Sequence, residues 1–151
     1  MLTKDPSEIL GKLETPEECE QFGINVATKY PELALKATRR AVQLRAQRKG
    51  ASTLVEREAW EAAYAYESVL RNSRGKKVRA TRTWQMIENH GILGAMERAV
   101  KRPDDAAGFM LLEKMGLTGL SFEEVVLRHP DSFSPQAVAR CKERLARHGH
   151  A

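Results

Sequence analysis

The sequence predicts an all-α protein, a compact orthogonal bundle of about eight or nine short helices with helical-hairpin stacking as one candidate arrangement. Three observations predict it. A capping residue stands three positions ahead of a glutamate at Asp5–Glu8, Thr15–Glu18, Thr53–Glu56 and Ser121–Glu124. Prolines sit where a first helical turn begins, and glycines or prolines sit where one ends. No stretch alternates with period two for long enough to make a strand, and only Lys77-Val78-Arg79-Ala80-Thr81 is ambiguous.

The elements follow in order. Asp5-Pro6-Ser7-Glu8 opens a helix over 6–12, and Thr15-Pro16-Glu17-Glu18 opens another over 16–29. Pro31 starts a helix that Gly50 closes, over 31–48. The 53–71 helix is the best defined: Val55, Ala59, Ala62, Ala63, Tyr66, Val69 and Leu70 make one apolar stripe. Trp60 and Tyr64, four apart, form a second, aromatic edge that reads first as packing on neighbouring helices and second as a stacking platform. Gly91 separates helices over 82–90 and 92–102. Helices over 105–115, 121–129 and 134–147 complete the chain, the last capped by Ser134 ahead of Pro135. A faint echo relates 99–104 to 126–131, each a helix end, a proline and an aspartate that caps the next helix. The core expected from these faces comprises Leu33, Leu44, Val55, Ala59, Ala62, Tyr66, Val69, Ile92, Met96, Leu111, Leu112, Val125 and Val138.

A length of 151 residues fits one domain over 1–151, with a frayed C-terminal tail from about 147. Hydrophobic residues at 42% and charged residues at 30% are an ordinary soluble mixture. No apolar run approaches membrane-spanning length and no signal segment leads the chain, so no membrane partner and a cytoplasmic location are expected. Cys19 and Cys141 imply no disulfide framework. Oligomeric state is not encoded in any pattern here.

The formal net charge is +5 with a pI near 9.4, which favours an anionic partner. It is unevenly placed. Residues 1–35 carry Asp5, Glu8, Glu14, Glu17, Glu18, Glu20 and Glu32 against Lys4, Lys12 and Lys29. Two stretches without any acid follow. One holds Lys36, Arg39, Arg40, Arg45, Arg48 and Lys49 on a helix; the other holds Arg71, Arg74, Lys76, Lys77, Arg79 and Arg82 on a loop. The acidic N-terminal segment either pairs with the basic helix or leaves its basic face free.

Trp84 follows the second run at once, and Thr81 or Thr83 falls where the next helix begins. Free backbone N–H groups there favour a phosphate oxygen, and Arg79 with Arg82 can clamp it in planar forks. Trp84 can brace the loop or stack on a base. The candidate nucleic-acid or anion site is therefore Lys36, Arg39, Arg40, Arg74, Lys76, Lys77, Arg79, Arg82, Thr83 and Trp84. The sequence leaves open whether the two runs share a surface. Arg140 and Arg144, in the last helix, are expected to contribute much less.

Other chemistry is poorly supported. The segments around Gly91 resemble a helix-turn-helix only weakly, because Ile92, Ala95, Met96, Ala99 and Val100 read as core. His90 and His129 read as helix-end residues, and no Cys/His spacing suits zinc. Cys141, among Arg140, Lys142 and Arg144, has the better thiolate environment, although packing explains it too. Phosphate loops and dinucleotide fingerprints are absent. No catalytic residues, metal or cofactor are expected. The leading expectation is a non-enzymatic protein binding nucleic acid, DNA or RNA, through its phosphates. The alternatives are a protein-interaction module or complex subunit docking on an acidic protein and, last, an enzyme acting on nucleic acid or nucleotides.

Overall fold

The Thr15 hydroxyl accepts a hydrogen bond from Glu18 N at 3.1 Å while the Glu18 carboxylate accepts one from Thr15 N at 3.1 Å, and this reciprocal cap starts a helix where the sequence predicts one. In the computed structural model, which describes residues 5–74, 81–102 and 107–147, the helices are α1 (Pro6–Lys12), α2 (Pro16–Val26), α3 (Pro31–Gln47), α4 (Leu54–Arg74), α5 (Thr81–Lys101), α6 (Ala107–Lys114), α7 (Phe122–Arg128) and α8 (Pro135–Arg147). A single 3-10 turn (Pro130–Ser132) lies between α7 and α8, and no strand occurs among the described residues. The all-helical class follows directly. The ambiguous 77–80 stretch and the tail from 148 lie outside the described residues.

Local chemistry accounts for most boundaries. Ser121 and Glu124 form a second reciprocal cap at α7. Glu56 N donates to the Thr53 hydroxyl at 3.2 Å ahead of α4. Asp5 caps α1 through Ser7 N at 3.0 Å instead of Glu8, since an N-cap oxygen serves either the second or the third helical N–H. Asp131 falls in the 3-10 turn and does not cap the next helix; the Ser134 hydroxyl does, accepting from Ala137 N at 3.1 Å. The expected break at Gly91 is present inside α5, where φ is 74° and ψ 170°, a conformation that costs glycine little. After α6, Gly116 takes φ 78° and the chain closes with Gly116 N to Glu113 O at 3.0 Å and Leu117 N to Leu112 O at 2.8 Å. This is a Schellman stop. A Cβ at Gly116 would lie 2.9 Å from Leu35 Cδ1, so the end of that side chain would have to shift to admit one.

The central element is α4, which packs against α3, α5, α6 and α7. Its alanines make that possible. Ala59, Ala62, Ala63 and Ala65 are all at most 1% exposed, and small side chains let neighbouring helices approach on more than one side. One core cluster joins α4 to α5, α7 and α8 through Ala59, Ala62, Ile92, Met96, Val100, Val125, Val126 and Ala137. A second joins α4 to α3 and α6 through Val42, Ala65, Val69, Leu112 and Leu117. Of the expected core, Leu33, Ala59, Ala62, Val69, Ile92, Met96, Leu112 and Val125 are buried, while Leu44, Val55, Tyr66, Leu111 and Val138 are half-buried at its margins. Among the described residues no helix is long and apolar enough to cross a membrane.

Candidate nucleic-acid interface

The acidic N-terminal segment does pair with the basic helix. α2 lies along α3, and Glu20 accepts from Arg45 Nη2 at 2.7 Å. Glu17 faces both Arg45, at 3.6 Å, and Arg48, at 3.5 Å. Glu20 reaches a second cation through its other oxygen: Arg71 Nη1, at 3.4 Å. Arg45 belongs to the first basic run and Arg71 opens the second, so one cation of each run meets at a single carboxylate.

The remaining arginines of α3 turn inward. Arg39 Nη2 donates to the carbonyls of Thr118 at 2.9 Å and Gly116 at 3.4 Å, closing the loop after α6. Arg40 donates to the Leu13 carbonyl through Nε at 2.9 Å and Nη2 at 2.5 Å, fastening the α1–α2 connection. Lys36 is exposed with no partner among the described residues.

Lys49, at the end of the first run, sits over an aromatic group instead of an acid. Its ammonium lies 4.7 Å from the Trp60 ring centroid and 5.9 Å from that of Trp84. The two indoles stack with centroids 6.2 Å apart and planes 24° from parallel, and Tyr64 tilts against Trp84 at 5.0 Å. Trp84 Nε1 donates to Glu67 Oε2 at 2.6 Å, and Glu67 also faces Arg71 at 4.0 Å. The rings are half-buried and pack on the α4–α5 core, so their first role is structural, as the i, i+4 spacing suggests. Their outer edges, together with exposed Lys49, still present a cation above aromatic faces.

The second run is described only at its ends. Arg82 is exposed on the first turn of α5, and Thr81 begins that helix. Lys76, Lys77 and Arg79 lie outside the described residues, as does the side chain of Arg74. Thr83 is 8% exposed and lines a half-open pocket among α4 to α8, whereas Arg82 is exposed. Trp84 is thus brought beside Lys49 at the end of α3, while Thr83 is not, and Arg82 is exposed on the first turn of α5. Sequence reasoning left Lys49 and Trp60 out of the candidate site. The signal for Lys49 was its place in the first basic run and that for Trp60 its spacing from Tyr64, and nothing local shows that Trp84 completes the cluster.

The expected comparison cations in α8 are not surface residues. Arg144 is 4% exposed and pairs with Glu123 at 3.0 Å; Arg140 and Arg144 both donate to the Arg102 carbonyl, closing the last turn of α5. The face of α5 after Gly91 is buried at Ile92, Ala95, Met96 and Val100, and Glu97 accepts from Ser134 N at 3.0 Å, so this segment presents no recognition helix.

Nucleophilic and metal chemistry find no support among the described residues. Both cysteines are buried. Burial pushes the Cys141 thiol up to about 12, with Glu123 adding to it, and burial likewise raises Cys19. No group of three metal-ligating side chains converges among the described residues. His129 ends α7, as expected of a helix-end residue, with Nε2 3.1 Å from Glu58. A scan of protein-family models, a search of curated proteins and a search of solved structures each gave no match. The protein is therefore defined by its own geometry: an all-helical bundle with a mixed cationic and aromatic seam where α3, α4 and α5 meet.

Proposed function

We propose that this protein binds nucleic acid without catalysis, through phosphate contacts along the seam of α3, α4 and α5. The observation that carries the reading is the convergence of Arg45 and Arg71 on Glu20, which brings together one cation from each of two runs distant in sequence. Lys49 over the Trp60–Trp84 stack extends the same region, and Arg82 joins as an exposed cation on the first turn of α5. Cations that track a backbone beside aromatic edges suit single strands, whose bases present faces to stack on. Lys36 joins as an exposed cation, and Arg74, Lys76, Lys77 and Arg79 join on sequence alone. Arg39 and Arg40 support the surface by holding the loops behind it. Thr83 is left out of the proposed contacts.

Fluorescence anisotropy with a labelled random single-stranded oligonucleotide tests this. Each neutralised phosphate contributes about 0.7 to the slope of log K against log salt on a single strand. Lys49→Ala with Arg82→Ala should weaken binding and flatten that slope by about 1.4. Arg98→Ala with Lys142→Ala removes two exposed cations elsewhere and should change little. Equal losses from the two pairs would mean diffuse charge attraction and no site. Absence of binding to DNA or RNA at low salt would overturn the reading and leave an acidic protein as the partner.

A further inference from the structure

We propose that the half-open pocket lined by α4, α5, α6, α7 and α8 binds a small organic carboxylate with a body about the size of one aromatic ring. This site is separate from the seam and does not depend on it.

Size comes first. The cavity holds about 150 Å³. An apolar cavity of about that volume accommodates benzene. Its apolar wall includes Met86, Phe109, Leu112 and Phe122, which suits a ring or a short branched chain.

The polar groups then set the ligand's charge. Arg102 lines the cavity at the end of α5, half-buried, and the acceptor it has among the described residues is Met86 Sδ at 3.2 Å. A thioether is a weak acceptor for a guanidinium that carries five donors. Glu123, the carboxylate on the cavity wall, is already engaged by Arg144 at 3.0 Å. Among the described residues, this corner of the cavity therefore has more guanidinium donors than acceptors. A carboxylate fits the Arg102 fork in bidentate fashion. The hydroxyls of Tyr66 and Thr83, both on the lining and neither hydrogen-bonded within the described residues, offer further polar contacts. A cation finds no open acid among the described lining residues, and a bare phosphate would leave the apolar wall unused.

Benzoate is the probe, with benzamide as its neutral counterpart. Methyl labelling of the methionines places one reporter, Met86, on the cavity wall and another, Met110, 49% exposed on the surface. Titration with benzoate to about 10 mM should shift the Met86 methyl in a saturable way and leave Met110 unmoved. Benzamide should bind at least about tenfold more weakly. Arg102→Gln should remove that preference while the protein still melts cooperatively, because the backbone carbonyl that takes Arg140 and Arg144 is unchanged. Thr83→Val, near in volume, should weaken benzoate by a smaller factor and serves if the first variant does not fold. No saturable shift at Met86, equal affinity for the two probes, or undiminished benzoate binding by Arg102→Gln would each overturn the proposal.

Discussion

Replacing Arg144 with methionine should destabilise the fold far more than a change at a helix surface would. Arg144 is 4% exposed and Glu123 is 6% exposed, and their contact at 3.0 Å ties α8 to α7. A second donor, Arg144 Nη2, caps the Arg102 carbonyl at the end of α5. Methionine keeps much of the side-chain length and apolar bulk, so cavity formation contributes little. What it removes is the partner of a buried carboxylate, and Glu123 has no other partner among the described residues. Breaking a buried pair on one side costs about 3–5 kcal/mol. With a urea slope of about 2 kcal/mol/M, the midpoint should fall by about 1.5–2.5 M.

Two further measurements separate this cause from general damage. The orphaned carboxylate avoids its burial cost by taking up a proton, so the deficit of Arg144→Met should narrow as the pH is lowered. The double variant Glu123→Gln with Arg144→Met leaves no buried charge and should recover most of the loss. A midpoint shift under about 0.5 M, or a deficit independent of pH and of the Glu123 substitution, would refute the reasoning.

The remaining expectations concern titration and reactivity. Burial works to raise the Glu58 carboxyl, but hydrogen bonds from Arg128 and His129 outweigh it and hold it below the ordinary range. Its contribution to stability is therefore complete above the ordinary glutamate value and is lost as the pH falls through the depressed one; Glu58→Gln should flatten the acid limb of a melting-temperature profile. Glu61 has the opposite sign, raised by burial and then by Glu58. Its ionisation destabilises the fold as the pH rises through that raised value, so Glu61→Gln should melt higher at neutral pH with the gain vanishing near pH 4. Neither thiol should react with a disulfide reagent at pH 8 until the protein unfolds, given two buried cysteines and Cys141 at about 12; rapid labelling of native protein would contradict their burial.

The boundaries of the fold were legible because their causes are local. Thr15 and Glu18, Ser121 and Glu124, and Ser134 and Ala137 N satisfy each other within three residues, so sequence spacing is enough. The Gly91 break and the Gly116 stop are likewise written in single residues. The two-sided burial of α4 was not legible from its stripe, because Ala65 lies off the apolar face yet is 0% exposed against Val42 and Val69. Small residues carry little periodic signal. The site was less legible again. Glu20 with Arg71, Arg39 with Thr118 and Arg144 with Glu123 join residues far apart in the chain, and only helix packing decides such pairs.

Within α3 and its end, those pairs divide by residue type. Arg39 and Arg40 hold backbone carbonyls, and Arg45 and Arg48 face Glu17 or Glu20, whereas Lys36 stays exposed and Lys49 rests on indole rings. A guanidinium presents several donors in one plane and is weakly hydrated, so it can bridge two carbonyls or two carboxylates at the edge of a fold. An ammonium is compact and keeps its water, so burying it costs more. Counting formal charge along 36–49 thus overstates what that helix offers an outside anion. The cations left for a ligand are those whose acceptors are not supplied by the fold itself. In this protein that test moves the proposed contact surface from the face of Arg39 and Arg40 to Lys49 on the Trp60–Trp84 stack, with Arg82 as an exposed cation at the start of α5.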